Sequence, residues 1–340
     1  MILRTACFLL LGLAADARAQ FAAPAGAPAL TSAELAIVIN DADANSVAVG
    51  EYYRRVRNIA PSNVVHVSIP GKPHRLDPAQ FAHLRRQIDS RLNPSIQAVL
   101  MVWTAPYAVG CNGITAAYTM GYDAAQCQST CAAGRPSSYF NADEARPFTN
   151  RNMRLSMLLP TESVAEAKAL VDRGTASGFR VLPASAYYLA TSQQARNARV
   201  PFFPRSAVLA SRKLTVKRLQ ADVLEGVRDI LIYQTGMASV ERLDTLGFVP
   251  GALADHLTSY GGDLLGSSQM SSLRWLQAGA TASYGTVSEP CNHWQKFPQP
   301  SILLKHYVSG STAIEAYWRS VAWPAQGVFI GEPLAAPYRR

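Results

Sequence analysis

Residues 229–240 read DILIYQTGMASV, and this stretch indicates the fold of the chain. A short run of β-branched and aromatic residues ends on Thr235 and Gly236, which is typical of a buried strand in a parallel sheet. Similar apolar segments alternate with amphipathic helical segments on both sides of it. The sequence therefore predicts an α/β protein with a doubly wound, mostly parallel sheet.

The predicted alternation is interrupted at residues 110–150. This segment is rich in Gly, Ser and Ala, contains three cysteines and has weak periodicity, so we expect an insertion held by disulfides. It belongs to a first α/β half, residues 31–175, which a second half follows at residues 176–340. Strands are predicted at residues 34–40, 63–69, 96–103, 181–191, 229–235, 254–260 and 280–287. Helices are predicted at residues 46–57, 78–92, 163–174, 221–226, 271–278, 302–307 and 312–321.

The first residues have the features of a secretory signal. Residues 1–19 contain Arg4, an apolar run, and an Ala-x-Ala cleavage motif that ends at Ala19. The Ala- and Pro-rich residues 20–30 form a predicted linker, and no later apolar run reaches the roughly 18–20 residues that a membrane span needs. The expected location is the periplasm or the cell exterior, after cleavage near Ala19.

The chain is basic, with a formal net charge of +9 that falls to +8 without the signal. The densest clusters are Arg54-Arg55-Arg57 and Arg212-Lys213 with Lys217-Arg218, in predicted helical or loop segments without interleaved aromatic residues. This pattern is typical of solvated faces, and together with export it argues against a nucleic-acid partner.

Four cysteines remain after signal cleavage. An even number in an oxidising compartment predicts two disulfides, for which three connectivities exist. Zinc is the alternative, since the spacing of Cys127 and Cys131 suits ligands and His293 lies near Cys291. The compartment favours disulfides, so neither a metal nor another cofactor is predicted. The disulfide candidates are Cys111, Cys127, Cys131 and Cys291.

Ligands of open parallel sheets bind beyond the carboxyl ends of the strands. The residues at those ends are therefore the candidates for a ligand pocket. The stretch NDADAN at residues 40–45 also suggests a cation site formed by Asp41, Asp43 and Asn45, but a turn followed by a helix cap suits it better because the glycine of a calcium loop is missing. The pocket candidates are Asn40, Asp41, Gly236, Tyr260, Gly261, Glu289 and Asn292.

Residues 229–239 and 255–264, DILIYQTGMAS and DHLTSYGGDL, resemble the two catalytic strands of caspase-like cysteine peptidases, most closely the gingipain branch. In that branch one strand ends in Thr-Gly-His, where histidine is the base, and the next ends in a cysteine nucleophile. Here Met237 stands at the position of the histidine and Ser259 at that of the cysteine. By this resemblance the N–H groups of Gly261 and Gly262 are candidate oxyanion donors.

Further stretches extend the resemblance over most of residues 35–333. SMLLPTESVAEAKALVDRG, GATASYGT and FIGEPL are similar in order and spacing to elements of the gingipain branch. NDADANSVAVGEYY and GATASYGTVSEPCN resemble an uncharacterised exported bacterial family that occurs in genomes with the exosortase protein-sorting system. The second resemblance implies a setting in envelope or surface sorting, and it does not imply a reaction.

Two other catalytic pairs are conceivable. Cys291 and His293 lie in the stretch EPCNHW and could form a thiolate–imidazole pair, although a disulfide at Cys291 is favoured. His293 could also activate Ser259 from a neighbouring loop. His256 lies three residues before Ser259 and hence on the opposite face of a strand, so it is interpreted as a hydrogen-bonded residue at the start of that strand.

The sequence predicts an exported, non-catalytic caspase-like protein that binds a peptide or polysaccharide component of a surface-sorting or envelope pathway. The prediction rests on Met237, because a thioether has no proton to exchange and cannot act as a general base. The alternative is a hydrolase or transpeptidase-like enzyme with Ser259 or Cys291 as a relocated nucleophile. The oligomeric state stays open.

Overall fold

The structure is a computed structural model that describes residues 29–339. The predicted signal peptide at residues 1–19 and residues 20–28 of the predicted linker lie outside the described residues. No helix in the described part of the chain is long and apolar enough to cross a membrane.

Strands and helices alternate along most of the described chain. The strands are β1 (Leu35–Asn40), β2 (Val64–Val67), β3 (Arg75–Leu76), β4 (Ala98–Val102), β5 (Ala108–Val109), β6 (Asn112–Gly113), β7 (Leu155–Leu158), β8 (Ala184–Ala190), β9 (Ala207–Leu209), β10 (Leu214–Gln220), β11 (Ile230–Thr235), β12 (Phe248–His256), β13 (Ala282–Thr286) and β14 (Gly327–Gly331). The α-helices are α1 (Ala44–Val56), α2 (Pro78–Asp89), α3 (Ile114–Met120), α4 (Ala124–Gln128), α5 (Pro147–Arg151), α6 (Val164–Ala176), α7 (Leu273–Ala278), α8 (Pro300–Val308) and α9 (Ala313–Ser320).

Within residues 29–339, eleven strands form one sheet in the order β2-β1-β4-β7-β14-β13-β12-β11-β8-β10-β9. Neighbouring strands are parallel except at β13–β14 and at β9–β10. The strands from β2 to β14 therefore run in one direction, and those from β13 to β10 run in the opposite direction. The prediction of a mostly parallel α/β sheet is confirmed.

The middle of the sheet is buried on both faces. Every residue of β1, β4, β7, β11, β13 and β14 is buried. Because successive side chains of a strand point to opposite faces, full burial means that both faces are covered. Helices α1, α2, α3, α6 and α9 pack on β1, β2, β7, β12 and β7 respectively. This layering explains why the strands have continuous apolar sequences.

The region before β11 differs from the prediction. Residues 221–226, predicted as a helix, are irregular: Asp222 accepts hydrogen bonds from the N–H and hydroxyl of Ser192, and Gly226 has a φ of +67°. Strands β9 and β10 were not predicted, and Lys217-Arg218 lies on β10 rather than in a helix or loop. Charged residues are common in strands near a sheet edge, where they hide the usual alternation.

The predicted insertion carries α3, α4 and α5 and is held by disulfides, as predicted. Cys111 is bonded to Cys127, and Cys131 is bonded to Cys291 in the loop after β13. The zinc alternative is wrong because all of its sulfur ligands are in disulfides. No group of three or more His, Cys, Asp or Glu side chains in the described part of the chain could hold a metal ion.

Candidate functional site

The two strands that resemble the catalytic pair lie side by side. β11 and β12 are parallel, and Thr235 pairs with His256 at their carboxyl ends. Met237 follows β11 by two residues, and Ser259 follows β12 by three. The strand predicted at residues 254–260 in fact ends at His256, so Ser259 lies in a turn beyond the sheet. The predicted adjacency of the two strands is confirmed.

The chain itself covers the end of β11. A Cβ at Gly236 would lie 2.0 Å from the carbonyl oxygen of Arg196, so only glycine fits beneath the loop that follows β8. The N–H of Ala238 donates to Oε1 of Gln193 (3.2 Å), and its carbonyl accepts from the N–H of Met270 (3.0 Å). Two loops therefore close over the end of β11, at the position that the sequence resemblance assigns to a histidine base.

The backbone beyond β12 is also bonded within the chain. Oε1 of Gln269 accepts from the Thr258 hydroxyl (2.7 Å) and from the N–H of Tyr260 (2.9 Å). The N–H of Gly262 donates to the carbonyl of Thr286 (2.8 Å), so it is not a free oxyanion donor as expected from the sequence. The turn lies directly on β13, where a Cβ at Gly285 would come within 2.3 Å of the Gly261 carbonyl carbon.

His256 is a structural residue at the end of its strand, rather than at the start as predicted. Its side chain is buried, Nε2 donates to the carbonyl of Met270 (3.0 Å), and Nδ1 accepts from the indole N–H of Trp275 (2.9 Å). Burial lowers the pKa of His256 to about 3, which keeps the ring neutral. Because both nitrogens are bonded, His256 cannot act as the base for Ser259 in this structure.

Because His256 is buried and neutral, we expect the free energy of unfolding to fall at acid pH. Its pKa is lower in the folded chain than in the unfolded one, so between about pH 6.5 and 3 the unfolded state binds the extra proton. The contribution is complete above pH 6.5 and is lost as the pH falls. We expect His256→Gln to reduce the pH dependence of the free energy of unfolding. Measured in urea from pH 6 to 4.5, its slope should fall by about 1.4 kcal/mol per pH unit. His83→Gln, an exposed position on α2, should leave the slope unchanged; equal slopes for both variants would contradict the assignment.

A buried ion pair beneath the site was not found from the sequence. Arg199 and Asp255 are each about 1% exposed, and the Arg199 guanidinium donates to the Asp255 carboxylate. The guanidinium also donates to the carbonyl of Thr235 (2.7 Å), while Nε2 of Gln234 donates to Asp255 (2.9 Å). The pair thus fixes the loop after β8 to the ends of β11 and β12. Arg199 lies in an irregular segment, where no sequence pattern marks it as functional. Asp255 could have been noticed, because it and His256 are adjacent polar residues at the end of an apolar strand.

The stretch EPCNHW is a structural turn. The sulfur of Cys291 is bonded to Cys131, which rules out the thiolate form of the enzyme hypothesis in the oxidised protein. Nε2 of His293 lies 3.0 Å from the carbonyl oxygen of Cys131, and Oε1 of Glu289 accepts from the N–H of Cys291 (2.8 Å). Asn292 has a φ of +57° and completes the turn. The disulfide interpretation of Cys291 is confirmed.

Asn40 and Asp41 do not join this site. Strand β1 runs opposite to β11, so their carboxyl ends point to opposite edges of the sheet. The Asn40 side chain bonds both backbone groups of Ile69, and Oδ1 of Asp41 lies 2.7 Å from Nδ1 of His66. Asp43 caps α1, so the turn-and-cap interpretation is confirmed in place of the cation site. Asn40 and Asp41 therefore lie at the opposite edge of the sheet from Gly236, Tyr260 and Gly261.

A cleft of about 1100 Å³ opens beside the ends of β11 and β12. It is lined by one side of α6 and the loop before it, by residues 239–244 after β11, by residues 264–271 after β12, and by α7. Gln269 and Met270, which cap the two strand ends, also line the cleft. The cleft thus shares the loops after β11 and β12 with Met237 and Ser259, although neither residue lines it.

The fold is similar to that of a known protease. One solved protease superimposes with a TM-score of 0.52 at 10% identity, covering 91% of this chain and 79% of that one. A structure of the Arg-specific cysteine proteinase gingipain R and a complex of the Porphyromonas gingivalis RgpB pro- and mature domains match 90% and 89% of this chain, with TM-scores of 0.45 and 0.42 at 10% and 9% identity. They cover 78% and 79% of those chains.

The structural neighbours are thus proteases, including gingipain-type cysteine proteases. At such low identity the likeness shows the fold alone. No protein-family model and no curated protein sequence matches the chain.

Proposed function

We propose that the protein is a non-catalytic member of the gingipain-type fold that binds a peptide or polysaccharide component of a surface-sorting or envelope pathway. The observation that carries this proposal is the occupation of both strand ends by the chain's own loops. Gln193 and Met270 bond the backbone beside Met237, and Gln269 bonds the backbone beside Ser259. A peptidase needs a base and a free approach at these points.

The chemistry of the side chains supports the same proposal. Met237 is half-buried and packs against an apolar cluster that includes Val240 and Leu243. The flexible, polarizable side chain of methionine is well suited to such packing. The nearby His256 does not supply a base for Ser259, because it is neutral and bonded at both nitrogens. A serine hydroxyl without a base is a weak nucleophile.

The proposed setting outside the cytoplasm rests on three observations. The sequence begins with a predicted signal, two disulfides are present, and stable disulfides belong to oxidising compartments. The link to surface sorting comes from the sequence resemblance to an exported family.

We expect no turnover of peptide or ester substrates by the wild-type protein. An active-site-directed serine or cysteine probe should likewise leave it unlabelled, because His256 is bonded at both nitrogens and Met237 cannot accept a proton. The measurement is a screen of the purified, oxidised protein against both substrate classes and both probes. Labelling or turnover that disappears in Ser259→Ala, but persists in the neighbouring control Ser267→Ala, would establish the hydrolase alternative.

A further inference from the structure

The surplus positive charge of the protein is concentrated in one stretch of the chain. Residues 173–221 contain nine arginines and lysines and neither aspartate nor glutamate. Because the chain without the predicted signal carries +8, the remaining residues 20–172 and 222–340 together carry −1. The stretch forms β8, β9 and β10, which end the large sheet on the side opposite β2. The positive charge therefore belongs to this edge of the sheet and not to the surface as a whole.

Five of the nine cations are left without a partner. The other four are engaged inside the fold, by Asp255 or by carbonyl and hydroxyl oxygens: Arg199, Arg173, Arg196 and Lys217. Within residues 29–339 the five have neither an ion pair nor a side-chain hydrogen bond, and we call them the basic edge: Arg180, Arg205, Arg212, Lys213 and Arg218. The next three acids along the chain have partners outside the basic edge: Asp222, Glu225 and Asp229. The basic edge is therefore not neutralised by its neighbours.

Apolar side chains protrude from the same part of the molecule. Phe179 is 81% exposed and Val208 is 72% exposed. Phe179 lies in the turn before β8, and the first residue of β8 donates its N–H to the carbonyl of Lys213 (3.0 Å). Val208 pairs with Thr215, so it lies on the same face of β9 and β10 as the exposed Leu219. Cations and apolar side chains thus share one edge.

Protection of the edge strand explains only the charges. Arginine and lysine on an edge strand hinder its pairing with other chains, whereas exposed apolar residues there favour association. Phe179 and Val208 do not line the cleft beside β11 and β12 or the smaller cleft beyond β8, so they are not the floor of a ligand pocket. Apolar side chains that protrude among unpaired cations match the two layers of an anionic membrane surface.

We propose that the basic edge docks on an anionic lipid bilayer. Its guanidinium and ammonium groups would pair with the phosphates of the headgroups, while Phe179 and Val208 would enter the boundary between headgroups and acyl chains. No residue of the basic edge lines the cleft beside β11 and β12. The inference therefore goes beyond the proposed function and is independent of it.

The test is flotation of the purified, oxidised protein with vesicles of equimolar phosphatidylglycerol and phosphatidylcholine, compared with vesicles of phosphatidylcholine alone. We expect binding to the anionic vesicles only, weakened by added salt because exposed charges are screened. The edge variant combines Arg180→Gln, Arg205→Gln, Lys213→Gln and Arg218→Gln. It should raise the Kd for lipid about a hundredfold or more, since each basic residue near an anionic surface contributes roughly a factor of five.

Two further variants separate docking from the general charge of the protein. The control variant removes the same charge at exposed positions away from the basic edge and should leave Kd within about threefold: Arg55→Gln, Arg86→Gln, Arg91→Gln and Arg274→Gln. Phe179→Ser should raise Kd about tenfold with unchanged salt dependence, because it removes apolar contact and no charge. All three variants should melt like the wild type, since the replaced side chains are exposed.

Three results would overturn the proposal. The first is no binding of the wild type to anionic vesicles, and the second is equal binding by the edge and control variants. The third is binding to heparin or polyglutamate without binding to vesicles, which would assign the basic edge to an acidic polymer instead of a bilayer. None of these results bears on the non-catalytic function, which the substrate and probe screen tests separately.

Discussion

Arg199→Met is expected to lower the free energy of unfolding by about 3–5 kcal/mol. The substitution leaves the Asp255 carboxylate buried with the side chains of Gln234 and Tyr317 as its partners, and these do not carry a compensating charge. It also removes donors from the carbonyls of Thr235 and Pro298. The measurement is urea unfolding at pH 7, with the midpoint and slope fitted together.

Two controls decide what the loss means. Arg199→Met with Asp255→Leu should recover much of the stability, because replacing both partners by apolar residues removes the unpaired charge. Arg54→Met, which breaks the exposed pair with Glu51, should cost less than about 1 kcal/mol. If Arg199→Met lies within about 1 kcal/mol of the wild type, the buried pair does not hold the loop after β8 in place.

Loss of the disulfide between Cys131 and Cys291 is expected to destabilise the protein more than loss of the other disulfide. The two cysteines are 160 residues apart, whereas Cys111 and Cys127 are 16 apart. In the chain-entropy account, closing the longer loop stabilises by roughly 5 kcal/mol and the shorter by about 3 kcal/mol. The test compares Cys131→Ser/Cys291→Ser with Cys111→Ser/Cys127→Ser in urea.

Thiol chemistry provides the control for this comparison. The wild-type protein should not react with a thiol reagent until it is reduced, and reduction should lower its melting temperature. Each double serine variant should keep one disulfide and still show no thiol. A native protein with reactive thiols, or a Cys131→Ser/Cys291→Ser variant as stable as the wild type, would contradict the pairing.

The layers of the fold could be predicted because the buried strands have uninterrupted apolar sequences. β1, β4 and β11 are covered on both faces, so each is visible as a short apolar run. β10 was missed since its sequence, LTVKRLQ, carries the charges of a strand near the sheet edge. The start of β12 was missed for a related reason: Phe248, Val249 and Pro250 are half-buried and include a proline.

The site was less predictable because it depends on strand direction and on loops. The sequence marks where Thr235 and His256 end their strands, but it does not show that β14 reverses the direction between β1 and β11. Arg199 and Gln269 act from irregular segments, where no periodicity reveals a partner.

The position of β14 has a consequence for the assembly of the protein during synthesis. β14 lies between β7 and β13, yet it follows the other ten strands of the described sheet along the sequence. Until it is added, β7 and β13 each present an unpaired edge, and such edges invite pairing with other chains. Contacts between distant segments also form slowly. A partly made chain therefore has two additional edges open to aggregation at the centre of its own sheet, where a chaperone would be most useful.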